Sequence, residues 1–377
     1  MLVLALLFLA GSATPVDRET AASALLKGLV GDGEPGIAVL VRRNGRTVLE
    51  REYGVRDLRT RQPIDARTRF RLASVTKQMT GAAIMLLVRD GRLRYEDALT
   101  RALPGFPAYG SGVTIRHLLT HTSGLPDYEQ LMESAEKEKG PIWTPERQIR
   151  DDEVLALLEK ETHGLFTPGT SWAYSNSGYV LLGLVAARAV GKPFGDLLRE
   201  RIFVPLGMTR TLAYEKGRHE VPDRAYGHTK ELTGFRETDQ SSTSATLGDG
   251  GVYSCLEDLA KWDEALRTNA LLSEAEMTPA LTPVRLADGS EPLWPKGEEG
   301  GDNLFPGRPV AYGFGWFLDP WQGRKRAWHH GETMGFRSIV ERFPGGDGVT
   351  VVVLANRGDL DLKSLALQIA DTELGRH

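Results

Sequence analysis

The 377 residues, of which 41% are hydrophobic and 25% charged, have the composition of a folded globular protein and exclude a disordered or fibrous chain. The formal net charge of -4 leaves no basic surplus, so nucleic acid is not expected as a partner. A single cysteine, Cys255, excludes an intramolecular disulfide and is expected to be a buried, inert thiol.

The chain starts with an apolar run, residues 1–10, that is too short to span a bilayer. Gly11-Ser12-Ala13 follows and the sequence then turns polar, a pattern typical of a secretory signal peptide cleaved near Ala13. A secreted or periplasmic mature protein, residues 14–377, is therefore expected, without a membrane span after cleavage. Because the positive charges that usually begin a signal peptide are missing, an apolar helix that packs on the domain or anchors it is the alternative.

Helix and strand patterns alternate early in the chain. Residues 17–30 carry an apolar stripe that predicts a helix, and two strand-like runs follow at 36–41 and 47–53. Asn44-Gly45 lies between these runs, and because both residues tolerate positive φ it predicts a tight hairpin turn. The two strands are expected to form part of a sheet.

A central helix is predicted from about residue 74. Its body, 79–88, is apolar on almost every side, which is typical of a helix buried in the middle of a protein. Asp90-Gly91 suits a C-terminal glycine cap. Ser74 and Lys77 are thus expected in the first turn of a buried helix, where unpaired backbone N–H groups and the helix dipole favour negative charge.

The middle of the chain, about 93–269, is predicted to be mainly helical, and from about 301 the pattern returns to strands. The fold class that follows is α/β of the α+β type: a mostly antiparallel sheet from both chain ends, about 36–73 and 301–377, flanked by helices and carrying an inserted helical region. The predicted helices are 115–120, 151–160, 179–190, 194–202, 256–267 with a capping box at 254–257, and 360–374. The predicted late strands are 312–318, 326–330, 337–343 and 349–354, with 345–348 as the turn between the last two.

Ser74 and Lys77 are the first candidates for chemistry. At a spacing of three residues they share one helix face, so the lysine amine reaches the serine oxygen. A serine hydroxyl is a poor nucleophile unless a base takes its proton, and a lysine kept neutral by partial burial and nearby positive charge does this. A second Ser-x-x-Lys, from Ser134 to Lys137, lies in a run so charged that it predicts a solvated helix face or loop.

Tyr174 and Asn176 follow a turn-rich loop and precede a predicted helix. Two residues apart on extended chain, they point to the same side and offer a phenol for proton transfer and an amide to orient it. The alternative is a pair of ordinary buried side chains whose polar groups bond to the backbone.

His329 and His330 lie on a late strand and precede Gly331. Adjacent strand residues face opposite ways, so the two histidines are not expected to serve one site or to chelate one metal. Neither His-Glu-x-x-His nor Gly-x-Ser-x-Gly occurs, which argues against a zinc peptidase of the zincin type and against an α/β-hydrolase. These residues require no metal or organic cofactor.

Taken in order, the Ser-x-x-Lys, Tyr-x-Asn and His-x-Gly motifs resemble those of the serine β-lactamase and penicillin-binding-protein superfamily. Within that superfamily, the motifs are most similar to those of the class C β-lactamase-like group, which includes DD-peptidases, D-aminopeptidases and esterases. Further stretches look like landmarks of this family: 115–126, Pro168-Gly169 with 174–179, and 248–254. The resemblance covers about 36–357 and implies a β-lactamase/transpeptidase-like fold.

The resemblance also implies a role for each motif residue. Ser74 would attack a carbonyl with Lys77 as its general base, and an acyl-enzyme would form. Tyr174 would carry the proton to the leaving group and help to activate the deacylating water. Asn176 would orient the substrate and the lysine. The backbone N–H groups of Ser74 and Glu332 would form the oxyanion hole.

The same resemblance assigns the late strand to substrate binding. Gly331 would let the substrate backbone approach the strand, where a side chain would collide. His329 stands where many β-lactamases carry lysine, and His330 is expected to face the other way, although the reverse assignment is the alternative. Tyr128, Trp172 and His330 are further candidates for contact with substrate, with plain core packing as the other interpretation of the two aromatic residues.

The histidine at the lysine position bears on the substrate. A permanent cation suits the carboxylate of a β-lactam or of a peptide C-terminus, whereas histidine is only partly charged near neutral pH. A D-amino-acid peptide of the DD-peptidase type or a carboxylic ester is therefore the first expectation, and a β-lactam is the second. A non-catalytic penicillin-binding or sensor module is the alternative from another class, and the intact Ser74, Lys77, Tyr174 and Asn176 argue against it. The expected partner is a small-molecule or peptide substrate.

Overall fold

The computed structural model describes residues 15–218, 220–296 and 305–375. The predicted signal peptide, residues 1–13, lies outside these ranges and stays a prediction. In the described part of the chain, no helix combines the length and the apolar character needed to cross a membrane.

Strands occur near both ends of the chain and, as shorter segments, in its middle. They are β1 (Ile37–Arg43), β2 (Arg46–Tyr53), β3 (Phe70–Arg71), β4 (Leu212–Ala213), β5 (His228–Glu231), β6 (Gly234–Glu237), β7 (Val252–Ser254), β8 (Ala327–Thr333), β9 (Phe336–Phe343) and β10 (Val349–Ala355).

Most of the helices lie between β3 and β8, as expected for an inserted helical region. The α-helices are α1 (Pro15–Leu26), α2 (Thr76–Arg89), α3 (Leu99–Ala102), α4 (Ile115–Leu119), α5 (Tyr128–Lys139), α6 (Asp151–Leu158), α7 (Asn176–Val190), α8 (Phe194–Leu198), α9 (Leu256–Thr268), α10 (Glu274–Met277) and α11 (Leu362–Leu374). Short turns of 3-10 helix occupy Ala73–Val75, Ala108–Gly112 and Thr278–Leu281, and a π-helical turn occupies Arg199–Phe203.

The large sheet has the strand order β2-β1-β10-β9-β8, and every neighbouring pair is antiparallel. Its strands come from the two ends of the chain, so the predicted antiparallel sheet is confirmed. Asn44 and Gly45 at the first hairpin have φ angles of 48° and 77°, as a turn with two left-handed residues requires. β8 is an edge strand, and it lies against the 3-10 turn that contains Ser74.

The two faces of the sheet bury separate layers of the core. β10 is buried along its whole length, which explains its nearly unbroken apolar sequence. Alternate residues such as Ala38 and Leu40 face the helical region, whereas Ile37 and Val39 face α1 and α11. The sheet therefore carries the helical region on one side and the two terminal helices on the other.

α2 forms the centre of the helical region, as its all-round apolar sequence predicts. Its residues from Thr76 to Leu87 are buried, and Gly91, just past its end, has a φ angle of 71°. Fully buried side chains such as Ile84 and Leu87 each stabilise a fold by about 1.5–3 kcal/mol. This packing fixes the helix that begins two residues after Ser74.

The predicted strand at 312–318 is wrong. This segment makes only isolated bridges, between Tyr312 and Phe317 and between Phe317 and Trp328. Gly313 packs where a Cβ would overlap the carbonyl oxygen of Ala280, and Gly315 has a φ angle of 80°. The alternating aromatic residues suggested a strand, but the two glycines bend the chain instead.

The predicted capping box at 254–257 is also wrong. Cys255 is the N-cap of α9, and its side chain makes no capping hydrogen bond. Ser254 belongs to β7, and its hydroxyl lies 2.7 Å from that of Thr211. The sequence pattern placed the N-cap at Ser254, one residue too early, because Ser254 is the last residue of β7.

Candidate active site

Ser74 lies in a single turn of 3-10 helix that leads directly into α2. Ala73, just before it, has a φ angle of 46°, a left-handed conformation that costs a non-glycine residue roughly 1 kcal/mol or more. This sharp turn places the serine at the N-terminal end of the buried helix. Strained backbone of this kind is concentrated at functional sites.

Lys77 is fully buried and reaches three oxygens. Its Nζ donates to Ser74 Oγ at 3.1 Å, to Asn176 Oδ1 at 2.8 Å and to the carbonyl oxygen of Asp249 at 3.1 Å. The distance to Ser74 Oγ is within the range in which a general base takes a proton. The structure thus brings the two ends of the Ser-x-x-Lys motif into direct contact.

Asn176 is the first residue of α7, and its position is fixed by two helix caps. Ser175 caps α7 by accepting from the backbone N–H of Gly178 at 3.1 Å. Asp127, the N-cap of α5, accepts from the backbone N–H of Asn176 at 2.9 Å. The amide that holds Lys77 is therefore tied to two helix starts.

Tyr174 lies beside the same lysine. Its side chain is buried, and its ring centroid is 4.8 Å from Lys77 Nζ and 6.2 Å from the His329 ring. A phenol at this place is suited to exchange a proton with groups around Lys77. The structure thus gathers Ser74, Lys77, Tyr174 and Asn176 in one place from two separate segments, 74–77 and 174–176.

The edge strand β8 closes the site on the other side. A Cβ on Gly331 would overlap the carbonyl oxygen of Leu72 and lie 3.0 Å from the backbone nitrogen of Ser74. Ser338 on β9, the register partner of Gly331, donates its hydroxyl to the same Leu72 oxygen at 2.6 Å. Only glycine allows this approach, which places the backbone N–H of Ser74 next to the strand that carries Glu332.

Replacing Gly331→Ala is expected to lower kcat/KM by about 100-fold, because β8 must move away from Ser74 and separate the two backbone N–H groups. Overpacking is also expected to cost roughly 1–3 kcal/mol of stability. Steady-state kinetics and a thermal midpoint measure the two effects. Gly112→Ala is the matched control, since a Cβ there meets only Pro168 Cγ at 3.7 Å. Near-normal kinetics in Gly331→Ala would contradict the close approach.

The rings of the two histidines of β8 lie 6.0 Å apart between centroids, and both neighbour the ring of Phe317. His329 faces the site: its Nε2 lies 3.1 Å from the Tyr312 hydroxyl, and its Nδ1 lies 2.6 Å from the carbonyl oxygen of His330. Burial holds the pKa of His329 well below its ordinary value, and His330 and Lys77 nearby act in the same direction. His329 is therefore neutral at neutral pH, not partly charged.

His330 is buried as well, with its Nε2 3.9 Å from Glu332 Oε1. Lys363 donates to that carboxylate at 2.8 Å, and Arg337 Nε lies 3.5 Å from its other oxygen. Burial lowers the pKa of His330 to about 4, and Lys363 nearby contributes. The strand that carries Glu332 is thus fixed from outside by charged groups.

The lowered pKa of His330 predicts a loss of stability in acid. The unfolded chain binds a proton there below pH 6.5 and the folded chain only below about 4, so stability falls as the pH drops through this interval. The expected loss from this residue between pH 7 and pH 5 is on the order of 2 kcal/mol.

Urea denaturation of the wild type and of His330→Gln at both pH values measures this contribution. The variant is expected to lose less stability than the wild type. Glu341, whose pKa burial raises to about 7, acts in the opposite direction, but it is present in both proteins and cancels. Equal losses in the two proteins would contradict the assignment.

Two of the predicted substrate-contact residues are buried in the wall of the site. Tyr128 is 1% exposed, and its hydroxyl donates to Asp249 Oδ2 at 3.2 Å, so it holds the residue whose carbonyl accepts from Lys77. Trp172 is also 1% exposed and packs on Trp294 with ring centroids 4.8 Å apart. In this structure both side chains support the site from behind.

Several residues of the site escaped the motif search. They are His121, Asp127, Asp249 and Tyr312, which contact the motif residues or hold their backbone. The first three lie in or next to the stretches 115–126 and 248–254, whose resemblance to family landmarks was the available signal. No sequence signal marked Tyr312 as a site residue, because the segment 312–318 was predicted to be a strand.

The second Ser-x-x-Lys motif, Ser134 to Lys137 and called the decoy motif below, lies on the surface, and the cysteine is buried, as predicted. Ser134 lies on the surface helix α5, where its hydroxyl donates to the Gln130 carbonyl at 2.9 Å. Cys255 is buried, and burial raises the pKa of its thiol to about 11. Among residues 15–218, 220–296 and 305–375, no three His, Cys, Asp or Glu side chains are placed to hold a metal ion.

Comparisons with known proteins identify the family of this chain. The family model described as Beta-lactamase matches residues 22–374. Penicillin-binding protein 4* of Bacillus subtilis (strain 168) is 32% identical over 350 residues, which cover 88% of this chain and 71% of that protein. A D-aminopeptidase of Cereibacter sphaeroides is 28% identical over 332 residues, which cover 86% of this chain but only 57% of that protein.

A solved structure shares the fold over nearly the whole chain. The D-amino acid amidase from Ochrobactrum anthropi SV3, complexed with L-phenylalanine amide, has a TM-score of 0.77 and 24% identity. The similarity covers 95% of this chain and 99% of the amidase. With a family model that matches nearly all of the described residues, the chain belongs to the β-lactamase family of serine hydrolases, as its three motifs indicated.

Proposed function

We propose that the protein hydrolyses amide or ester substrates through an acyl-enzyme on Ser74. The observation that carries this proposal is the Ser74–Lys77–Asn176 cluster, in which one buried amine touches both the hydroxyl and the amide. This cluster meets the geometric requirement for an activated nucleophile.

The reaction follows from the positions of the groups. As a neutral amine, Lys77 Nζ keeps two N–H donors for Asn176 Oδ1 and the Asp249 carbonyl, and its lone pair takes the Ser74 proton as Oγ bonds to the substrate carbonyl carbon. The negative charge that develops on the carbonyl oxygen falls between the backbone N–H groups of Ser74 and Glu332. The proton then passes by way of Tyr174 to the leaving amine or alcohol. A water molecule then bonds to the acyl carbon and gives up a proton to Tyr174 and Lys77. The bond between that carbon and Ser74 Oγ breaks, Oγ takes the proton back, and the acid is released.

The neutral His329 supports a particular class of substrate. A carboxylate beside β8 would find a buried imidazole whose pKa lies well below its ordinary value, in place of the lysine cation found in many relatives. Transfer of a carboxylate to such an environment is unfavourable without a paired charge. We therefore propose an amide of a D-amino acid, a D-amino-acid peptide or a carboxylic ester as substrate, with a β-lactam as the second choice.

The relatives support the same choice. Two of the compared proteins carry the names D-aminopeptidase and D-amino acid amidase, and a third is a penicillin-binding protein. Because the chain spans 57% of the D-aminopeptidase, the activity of that whole protein is for this chain a proposal.

A substrate panel tests the proposal. The probes are D-phenylalanine amide, its L enantiomer, a p-nitrophenyl ester and a chromogenic cephalosporin, each assayed with the wild type and with Ser74→Ala. The expected result is Ser74-dependent hydrolysis of the D-amide or the ester at least about tenfold faster than of the cephalosporin. Faster cephalosporin turnover would overturn the substrate class. Hydrolysis that persists in Ser74→Ala would overturn the proposed mechanism.

A further inference from the structure

His121, in the loop between α4 and α5, holds both neighbours of Tyr174. Its carbonyl oxygen accepts from the backbone N–H of Ala173 at 3.0 Å, and its ring Nδ1 accepts from the backbone N–H of Ser175 at 3.1 Å. Its ring centroid lies 4.4 Å from that of Tyr174. One residue thus fixes the chain before and after the tyrosine and packs against the tyrosine ring itself.

The hydrogen bond to Ser175 determines the protonation of this histidine. Because Nδ1 accepts from an N–H, the neutral ring carries its hydrogen on Nε2, and a proton on Nδ1 would break the contact. His121 is 1% exposed, and burial together with Lys77 and His329 holds its pKa well below the ordinary value. The contact is therefore kept at neutral pH, where the ring is uncharged.

The opposite side of the ring faces aromatic residues. His121 Nε2 is buried without a hydrogen-bond partner in the described structure, and the ring lies 4.6 Å from Tyr312 and 5.2 Å from Tyr179 between centroids. Tyr312 in turn contacts His329 Nε2. The imidazole is therefore enclosed between Tyr174 and the residues behind the site, and it has little freedom to turn.

The backbone at His121 is left-handed, with a φ angle of 60°. This conformation costs a non-glycine residue roughly 1 kcal/mol or more, and glycine would adopt it without strain. Glycine, however, would lose the ring acceptor and the ring contact with Tyr174. The strain is thus accompanied by two contacts that only this side chain supplies, which points to a role at the site.

We propose that His121 is a positioning residue that sets the phenol of Tyr174 for proton transfer to the leaving group. The inference rests on the proposed function, in which Tyr174 carries that proton. It predicts that the effect of a His121 substitution depends on the leaving group of the substrate. An amide leaves only after its nitrogen is protonated, whereas p-nitrophenolate leaves without a proton, so misplacing Tyr174 harms amide cleavage selectively.

The test compares the p-nitroanilide and the p-nitrophenyl ester of D-phenylalanine in the wild type and in His121→Phe. Phenylalanine keeps the ring but loses the Nδ1 acceptor. We expect kcat/KM for the anilide to fall by about tenfold or more and that for the ester by less than about threefold. Asparagine tolerates positive φ and keeps an acceptor near the same place, so His121→Asn is expected to lose less anilide activity than His121→Phe. It replaces His121→Phe in the comparison if that variant does not fold.

Two controls separate positioning from a general loss of structure. His117→Phe removes a similar acceptor, since His117 Nδ1 accepts from the Thr114 backbone N–H at 3.2 Å. Because His117 lies in the cap of α4, this variant is expected to show no selective loss of anilide activity. In a Tyr174→Phe background, His121→Phe is expected to cause no further loss of anilide activity, because both changes remove the same step.

Three outcomes decide the matter. A selective loss for the anilide that disappears in the Tyr174→Phe background supports the inference. Equal losses for both substrates, or a full additional loss in that background, would overturn it while the proposed function stands. A wild type that shows no Ser74-dependent cleavage of either substrate would overturn the proposed function, and with it the role of Tyr174.

Discussion

Ser74→Ala is expected to reduce kcat/KM by about 10,000-fold or more, because no other group in the cluster replaces the attacking oxygen. The substitution removes one hydroxyl from a helix start that is fixed by the buried faces of α2. Little stability should therefore be lost, and thermal unfolding of the variant should resemble that of the wild type.

Ser134→Ala is the matched control for this substitution. It removes the serine of the second Ser-x-x-Lys motif, which lies on the surface of α5. Its kinetics are expected to equal those of the wild type. If Ser74→Ala were to keep more than about a hundredth of the wild-type rate, a nucleophile other than Ser74 would have to be sought.

Lys77→Met is expected to lower kcat/KM by about 1,000-fold, since methionine has a similar length but cannot take the Ser74 proton. The Asn176 amide and the Asp249 carbonyl lose their shared donor, and each buried acceptor left without a partner costs about 1–3 kcal/mol. Kinetics and the denaturation midpoint, measured on one preparation, show whether the rate falls further than the folded fraction does.

Lys137→Met is the corresponding control, because Lys137 lies in the last turn of α5 and belongs to the decoy motif. It should leave both activity and stability nearly unchanged. A Lys77→Met variant with a rate within about tenfold of the wild type would contradict the role of the lysine as base, even if Ser74 remained essential.

The parts of the fold that the sequence predicted are those with strong local patterns. The apolar body of α2 and the Asn44-Gly45 turn determine their own local structure, and the strand-like runs at both chain ends left only an antiparallel sheet as a simple solution. The three motifs could be found because each is a short run of residues. That these motifs meet in space could be predicted only from the resemblance to a family, because the patterns themselves do not show it.

The remaining features depend on tertiary contacts that no local pattern records. The strand predicted at 312–318 failed because Gly313 packs against the Ala280 carbonyl, far away in the chain. His329 was expected to be partly charged, and only its complete burial shows that it is neutral. The left-handed backbone of His121 and its hold on residues 173 and 175 are also visible only in the folded chain.

The central claim, covalent catalysis by Ser74, is tested most directly by trapping the enzyme with a fluorophosphonate and locating the adduct by mass spectrometry. Trypsin cleaves after Arg71 and Lys77, so the nucleophile is released on the short peptide 72–77. We predict a single adduct, on that peptide, that is absent in Ser74→Ala. An adduct on any other serine, or none on a preparation that hydrolyses its substrate, would contradict the claim.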